Sequence, residues 1–582
     1  MAEPEYIVES ECGTTEEEKS SSASSEVVIG IDIGTSQCSV AVWNGSEVEL
    51  LKNTRNQPLI RFDVPVDNDI PLGEVNYHLS PYDVFSLGEV NYHLSHKHER
   101  LSGASILNMK RLIGRVDTDR VVRASKNFPF LVQTLEMGVR PFIAALVNNV
   151  WKSTTPEEVL ALYLAELRIM AESKLKRPVK DVVLCIPVSF SRFQLTQIER
   201  ACTIAGLHVL RLMPEPAAVA LLYAQQQQHM LRDNTGRVSK RIALVFNMGA
   251  GYCDVAVAGI DGGVTEIKAL LGSEIGGEDF LQNMMRHLLP SFDKLDIKSM
   301  GLLRVAIQEA IHELSFQESV QIDVDLGHGS RLCKEVKREE FEEVNEYIFF
   351  KSGILIVQCM HDADVDVEDL TDVIVVGGCS CIPKIRKLVE NLCEREIYQG
   401  MNPLTAAVYG TALEGALTSV IDDPLGDVDL LTSQVTTLGI GIRANRSEFV
   451  PVIPRNTTMP VHKEMIFTTV KDNQTEALIV VYEGEPEMED ENHLLGYFKI
   501  TGIPPALKGV PEINVGMDIN ASNELSVLAR LILPGSRHPL VPVMELKMPT
   551  VDDGHSCCAE VLARAYGPTL DSMIVRRKNH SI

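Results

Sequence analysis

The sequence predicts an α/β protein that gives way, past residue 432, to an all-β sandwich, and three patterns carry that prediction. Four short apolar runs each end at a turn signal: VVIGIDIG (27–34), VVLCIP (182–187), IALVFNMG (242–249) and VIVVGG (373–378). Runs of that length and β-branched content read as buried parallel strands. Helical patterns lie between them, and strands alternating with helices predict α/β architecture. The third pattern is a change of period near Asp422, where short alternating runs separated by turn residues replace the helices.

In chain order, the first 25 residues are acidic and serine-rich without an apolar segment and read as a disordered tail. The strand at 27–34 ends in Asp32-Ile33-Gly34-Thr35-Ser36. Leu72 to Ser80 and Leu87 to Ser95 both read LGEVNYHLS, fifteen positions apart, which fits a duplication in a surface loop because stacked arrays need at least three units. Thr155-Pro156-Glu157-Glu158 is a capping box with proline at the first helical position, and Leu160, Tyr163, Leu164 and Leu167 follow on one face. Ile421 to Gly426 breaks helix, and Asp427 to Thr432 looks like an exposed linker. Beyond it, MIFTTVKDN (465–473), ALIVVYEGE (477–485), HLLGYFKITGI (493–503) and EINVGMDIN (512–520) are the sandwich strands, and residues 551–582 have room for one short helix around Ala559 to Ala565.

Composition narrows the function. The 54 basic and 80 acidic residues leave a net charge of −26, which repels nucleic acid and anionic membrane surfaces. No stretch offers the ~18 uninterrupted apolar residues of a membrane span. Several of the twelve cysteines sit inside apolar strands, as Cys185 does, which suits reduced thiols and a cytoplasmic setting with the nucleus open as a second compartment. Cys379-Ser380-Cys381, Cys557-Cys558 and His96-Lys97-His98 lack a second pair at zinc spacing and read as ordinary packing or loop residues. The sequon at Asn456 is meaningful only for a chain that enters the secretory path.

The chemistry is concentrated in two glycine-rich turns. Asp32 to Ser36 and Asn247 to Asp254 repeat one design, with Asn247 where Asp32 stands. Glycine lets backbone N–H groups approach phosphate oxygens, hydroxyls add donors, and a carboxylate at a strand end holds water on magnesium. A matched pair of such turns can grip a nucleotide from both sides, and losing one carboxylate weakens catalysis before binding.

GIDIGTS (30–36), MKRLIGR (109–115), AGLHVLRLMPEP (205–216), IGGEDF (275–280), VVGG (375–378) and the stretch 456–485 together resemble the 70-kDa heat-shock, or DnaK-type, chaperones, collinearly from about Val27 to about Leu528. The resemblance is to short, atypical plant members. It implies an actin-like, two-lobed ATPase domain over 26–420, a linker over 421–432, a peptide-gripping β-sandwich over 433–550 and a short tail over 551–582. It implies ATP or ADP with Mg2+ as ligands, extended apolar polypeptides as clients, and J-domain and nucleotide-exchange co-chaperones as partners.

By position, the resemblance makes Gly34, Thr35, Ser36 and Gln37 the first phosphate turn, and Lys110 the lysine that orients the attacking water. Asp32 and Glu215 match carboxylates that hold waters around magnesium, with Asn247 at the third such place. Gly249, Ala250, Gly251, Tyr252 and Asp254 form the second turn, and Gly276, Gly277, Gly377, Gly378 and Cys379 complete the nucleotide contacts. Asp32, Thr35, Lys110 and Glu215 are the expected catalytic set. The departures are Asn247 for a carboxylate, Ala250 for a glycine and Tyr252 for a threonine hydroxyl; an amide supplies no negative charge, so hydrolysis is expected to be slow. Around the adenosine, Gln308, Ile311 and His312 stand where the family has an acid and two bases, Cys381 replaces a stacking arginine, and Ser315 keeps its family type. Pro187 matches the relay proline, Leu195 replaces an arginine, and the linker keeps only Asp429-Leu430-Leu431, so signalling between domains is expected to weaken.

Ala477 takes the place of a valine in the central peptide pocket and predicts a wider, shallower one. A helical lid needs roughly a hundred residues at a 1.5 Å rise; 32 follow Thr550, so a vestigial lid and quick peptide release are expected. The end Asn579-His580-Ser581-Ile582 lacks an acidic signal for tetratricopeptide co-chaperones. Two readings remain: an ATP-regulated peptide-binding chaperone with slow hydrolysis, and a hydrolysis-deficient adaptor for other chaperones. A sugar or acetate kinase on the same fold has no use for the β-domain.

Overall fold

The β-branched runs become the centres of two sheets of the same plan. In the first lobe, β1 (Val28–Ile33) pairs in parallel with β4 (Asp181–Ile186) and antiparallel with β2 (Gln37–Trp43), with β3 (Val48–Leu50) beyond β2 and β5 (His208–Pro214) beyond β4. In the second lobe, β6 (Arg241–Met248) pairs in parallel with β11 (Asp372–Val376) and antiparallel with β7 (Cys253–Asp261), followed by β8 (Val264–Ser273). The two-lobed α/β core is the expected one. This computed structural model describes residues 27–53, 155–233, 240–419 and 431–532, with breaks at 262, 296, 328, 445–447, 486–491 and 522, shorter stretches between 56 and 154 that include 108–115, and the strand 574–576. The tail 1–25, most of the 72–95 repeat, linker residues 421–430 and the helix expected at 559–565 lie outside them.

Both faces of each sheet are covered, so the strands carry continuous apolar runs rather than alternation. Ile29, Ile31 and Ile33 pack against Leu160, Tyr163, Leu164 and Leu167 of α2 (Pro156–Leu175), whose capping box at Thr155 and Glu158 forms as the sequence predicts. On the opposite face, Val28, Val183 and Cys185 meet α4 (Glu215–Asp233), and the same helix covers Ala243 and Val245 of the second sheet. Residues 217–221 are all fully buried, because the first half of α4 is clasped between the lobes and is apolar all round. This wedge holds its first residue, Glu215, between the two phosphate turns. The helix α10 (Ala406–Thr418) returns the chain to the first lobe, its Leu413 joining the shared core. On the outer face of the second sheet, Leu244, Phe246 and Met248 pack with α5 (Gly277–Leu288), α6 (Ile297–Leu314) and α8 (Glu346–Asp362), which follows α7 (Arg338–Val344) and lies against α9 (Pro383–Cys393).

Three places differ from the sequence reading. Thr432, read as the end of an exposed linker, lies in β12 (Leu431–Ser433), which pairs in parallel with β8 as a fifth strand of the second lobe. The edge of β8 supplies unpaired backbone groups that Leu431–Ser433 completes. Gly73–Glu74 of the first repeat copy forms a strand against Lys152 and Ser153 rather than plain loop. Ile574–Arg576, in the tail read as at most helical, pairs with Phe467–Thr469.

The sandwich forms as expected. One sheet runs β14 (Glu448–Ile453), β13 (Gly439–Ala444), β16 (Glu476–Gly484), β17 (His493–Thr501); the other runs β19 (Leu525–Ile532), β18 (Glu512–Ile519), β15 (Val461–Thr469), β20 (Ile574–Arg576). Alternate residues Ala477, Ile479 and Val481 point into its core with Ile440, Phe467 and Ile513. Ala477, where the resemblance places a wider and shallower peptide pocket, is fully buried among these core residues.

Candidate nucleotide site

Each lobe contributes a hairpin whose tip carries one glycine turn. Ile33 pairs with Cys38 across residues 34–37, and Met248 pairs with Cys253 across residues 249–252. Asp32 faces Ser39 in the first ladder, and Asn247 faces Asp254 in the second, so the carboxylate has changed strand between the lobes. The turns meet: a Cβ on Gly251 would stand 2.3 Å from Thr35 Oγ1, an approach only glycine permits. Gly377, at φ 87° and with Met248 O 2.3 Å from an added Cβ, lets the 375–378 turn close over the end of β6 in the same way.

Between the turns lies a charged cluster. Lys110 is on the one-turn helix α1 (Met109–Leu112) and only 2% exposed. Its Nζ donates to Glu215 Oε1 at 2.5 Å, and Asn247 Nδ2 donates to Glu215 Oε2 at 2.6 Å, so both oxygens of one carboxylate are engaged. Burial alone would lower the Lys110 pKa, but the charges of Glu215 and Asp32 outweigh it and hold the ammonium above its ordinary range. Asp32 is pushed up to about 7, first by burial, then by the charge of Glu215, with Lys110 opposing. Asp254, fully buried, is raised well above the carboxylate range by burial and then by Glu215. The place of Asn247 is thereby explained: an amide donates a hydrogen bond to Glu215, where a carboxylate would add a further repelling charge.

The second turn is braced by neighbours. Gly277 N donates to Gly249 O at 3.1 Å, Glu278 N to Ala250 O at 2.7 Å, and Cys379 Sγ to Gly249 O at 3.2 Å. Gly276 N donates to Asp279 Oδ2. Gly277 and Cys379, expected to touch nucleotide, thus spend these donors on holding the turn, Gly276 spends its own on Asp279, and burial pushes the Cys379 thiol up to about 12. Tyr252, where a threonine is expected, buries its ring edge-on to Phe190 and donates from its hydroxyl to Lys110 O at 3.2 Å. Its ring centroid is 5.9 Å from Lys110 Nζ, so it packs beside the lysine.

Gly34, Ser36 and Gln37 form the first turn with Thr35, Ser36 being its exposed member, and Gly378 follows Gly377 on the third. Gln308 is exposed on α6, and Ser315, just past its end, donates to Ile311 O; neither hydrogen-bonds to the charged cluster.

Sequence reasoning passed over Arg111 and Arg115. Arg111 donates to Glu274 O and pairs with Asp279, while Arg115 pairs with Asp119 and Glu274 and reaches Tyr252 Oη at 3.5 Å. Their signal was the basic spacing within MKRLIGR. It also passed over the contacts between domains. Arg192 at the start of α3 (Arg192–Ile204) pairs with the buried Glu483 and donates to Asn523. Arg455 pairs with Asp362, and Asn456 accepts from Leu270 N and donates to Asp362, which gives the sequon asparagine a docking role. No local pattern marks these residues.

The residues fit magnesium held through water: Asp32 Oδ1 is buried with no hydrogen-bond partner, and Asp32 and Asp254 each lie in charge contact with Glu215. A cation there neutralises phosphate charge when bound. Asp32 and Glu215 would hold its waters, with Asn247 steadying Glu215.

A family model for Hsp70 protein matches residues 97–538. The chain belongs to the Hsp70 family. It is 61% identical over 581 residues to heat shock 70 kDa protein 8 of Arabidopsis thaliana, covering 99% of this chain and 100% of that protein. It is 32% identical over 515 residues to heat shock cognate 70 kDa protein 3 of Dictyostelium discoideum, covering 86% of this chain and 78% of that one. Hsp70 membership carries chaperone function, and proteins of the family generally bind ATP or ADP with Mg2+ and unfolded polypeptides. The two-lobed domain and the sandwich are those of an Hsp70.

Proposed function

We propose that this chain is an ATP-regulated chaperone that binds ATP with Mg2+ between its two phosphate turns, hydrolyses it slowly and holds extended apolar polypeptide weakly. One observation carries the reading: Lys110, buried and charged, sits between two facing turns and is restrained by Glu215. Triphosphate draws the ammonium partly away from Glu215, and that exchange of partners sets the cost of reaching a reactive arrangement. Asn247 keeps hold of Glu215 meanwhile, which favours retention of nucleotide over turnover. The ion pairs at Arg192 and Arg455 support communication between the nucleotide and peptide domains. J-domain and exchange co-chaperones would act through that same arrangement.

The test is titration calorimetry with MgATP, followed by single-turnover hydrolysis on wild type, Lys110→Ala and Asn247→Asp. Binding with slow turnover that Lys110→Ala abolishes is the expected result. Binding without any turnover converts the reading to a hydrolysis-deficient adaptor, and absence of both binding and a thermal shift overturns the nucleotide reading. A fluorescent apolar peptide that fails to bind at high micromolar protein overturns the peptide reading.

A further inference from the structure

The helix α8 presents an apolar stripe to solvent that neither the nucleotide site nor the docking contacts use. Ile348, Phe349, Ser352, Leu355, Ile356 and Cys359 face the second-lobe core. Tyr347, Phe350, Ile354 and Val357 face outward and are 70%, 63%, 44% and 57% exposed. Their spacing is three, four, three, the narrow a/d seam of a two-helix pairing rather than the broad face of a helix packed on a core.

That spacing is the same read from either end, and the side chains are self-complementary. An antiparallel copy related by a two-fold axis at the level of Ser352 sets Tyr347 opposite Val357 and Phe350 opposite Ile354. A large aromatic then meets a smaller aliphatic at every layer, as interdigitated packing requires. The same axis brings Glu346 opposite Gln358, both exposed, so the seam is flanked by a hydrogen-bonding pair at each end. Antiparallel helix dipoles also oppose favourably.

The area suffices. At these exposures the four side chains present on the order of 400 Å² per copy, a patch of the size that marks interaction sites on monomers. Two copies remove about twice that from water. With Glu346, Gln358, His361 and the flanking backbone, the pair reaches the ~1,200 Å² at which specific interfaces begin. An interface built from one patch used twice closes on itself and stops at two copies.

We propose that the chain forms a dimer through α8, paired antiparallel with α8 of a second copy about this axis. The experiment is sedimentation velocity on the full chain from about 1 to 100 μM, for wild type, Phe350→Glu, Ile354→Lys and an equimolar mixture of the two variants. Both positions are solvent-facing, so thermal unfolding midpoints stay at the wild-type value and a folding defect is recognised if they do not. Wild type dimerises in the micromolar range, and each variant alone weakens association at least tenfold. The mixture restores the dimer, because the axis sets the carboxylate introduced in one chain against the ammonium introduced in the other, while the second layer keeps its native Phe350 to Ile354 contact. A wild type that stays monomeric at the highest concentration overturns the proposal, as does a variant that dimerises like wild type. A mixture that stays monomeric overturns the antiparallel register.

Discussion

The two phosphate turns share one strand plan and differ in what holds them. Each caps a hairpin whose first strand also has a parallel neighbour, β4 for the first lobe and β11 for the second. The first turn closes within its own hairpin, as Ile33 meets Cys38. The second leans on α5, through the Glu278 N to Ala250 O bond, and on Cys379. Its two departures from glycine and hydroxyl chemistry, Ala250 and Tyr252, sit in that braced environment, where support from neighbours replaces freedom at the tip. A fold can thus conserve the backbone of a phosphate grip while trading the charges around it.

The largest expected effect comes from removing the brace. Glu278 is buried in a bidentate pair with Arg304 at 2.8 and 2.7 Å, and also accepts from Asn108 and Gln282. Arg304→Met leaves an uncompensated buried carboxylate and costs about 3–5 kcal/mol, read by urea unfolding. Burial would raise the Glu278 pKa, but Arg304 holds it below the ordinary carboxylate range. Its contribution is therefore complete above the unfolded-state pKa and is lost as pH falls through the folded one, and the variant loses that acid limb. Equal loss when the first turn is perturbed by Thr35→Ala would break the contrast.

Next, Lys110→Met removes the ammonium between the turns and lowers single-turnover hydrolysis about 10²–10³-fold, with calorimetry showing a smaller change in nucleotide affinity. A smaller effect follows from making the turns alike. Asn247→Asp gives the second strand the carboxylate of the first, releases the amide bond to Glu215, and raises Mg2+-dependent turnover about tenfold. A drop in turnover would mean that the bond to Glu215, rather than missing charge, governs the site.

The smallest effect lies outside both turns. His462, on β15, is held above its ordinary range by its hydrogen bond to Asp518, then by that carboxylate's charge and by Glu464. Because the folded pKa is the higher one, its slight contribution to the β-domain is present at low pH and fades as pH rises through that value. NMR titration shows a raised midpoint that Asp518→Asn brings down, while nucleotide binding is unchanged.

Much of this was legible in the chain. The strand centres, the capping box at Thr155 and the glycine turns are local signals, each set by a few adjacent residues and their backbone preferences. The pairing of β12 and the partner of Ile574–Arg576 were not legible, because an edge strand is chosen by what sheet edge stands open nearby. Nor was the full burial of Ala477, since a pocket wall and a core present the same apolar residues in sequence.

The sequence by itself determined the two sheets, the sandwich and the inventory of charged groups, including the exchange of a carboxylate for Asn247. Only the tertiary structure decided which charges meet. Lys110 and Glu215 are 105 residues apart, and Arg192 and Glu483 are 291 apart. Backbone preference acts over neighbours, whereas a buried ion's partner is settled by desolvation once distant segments pack, so the chemistry of the turns could be read as a list but not as an arrangement.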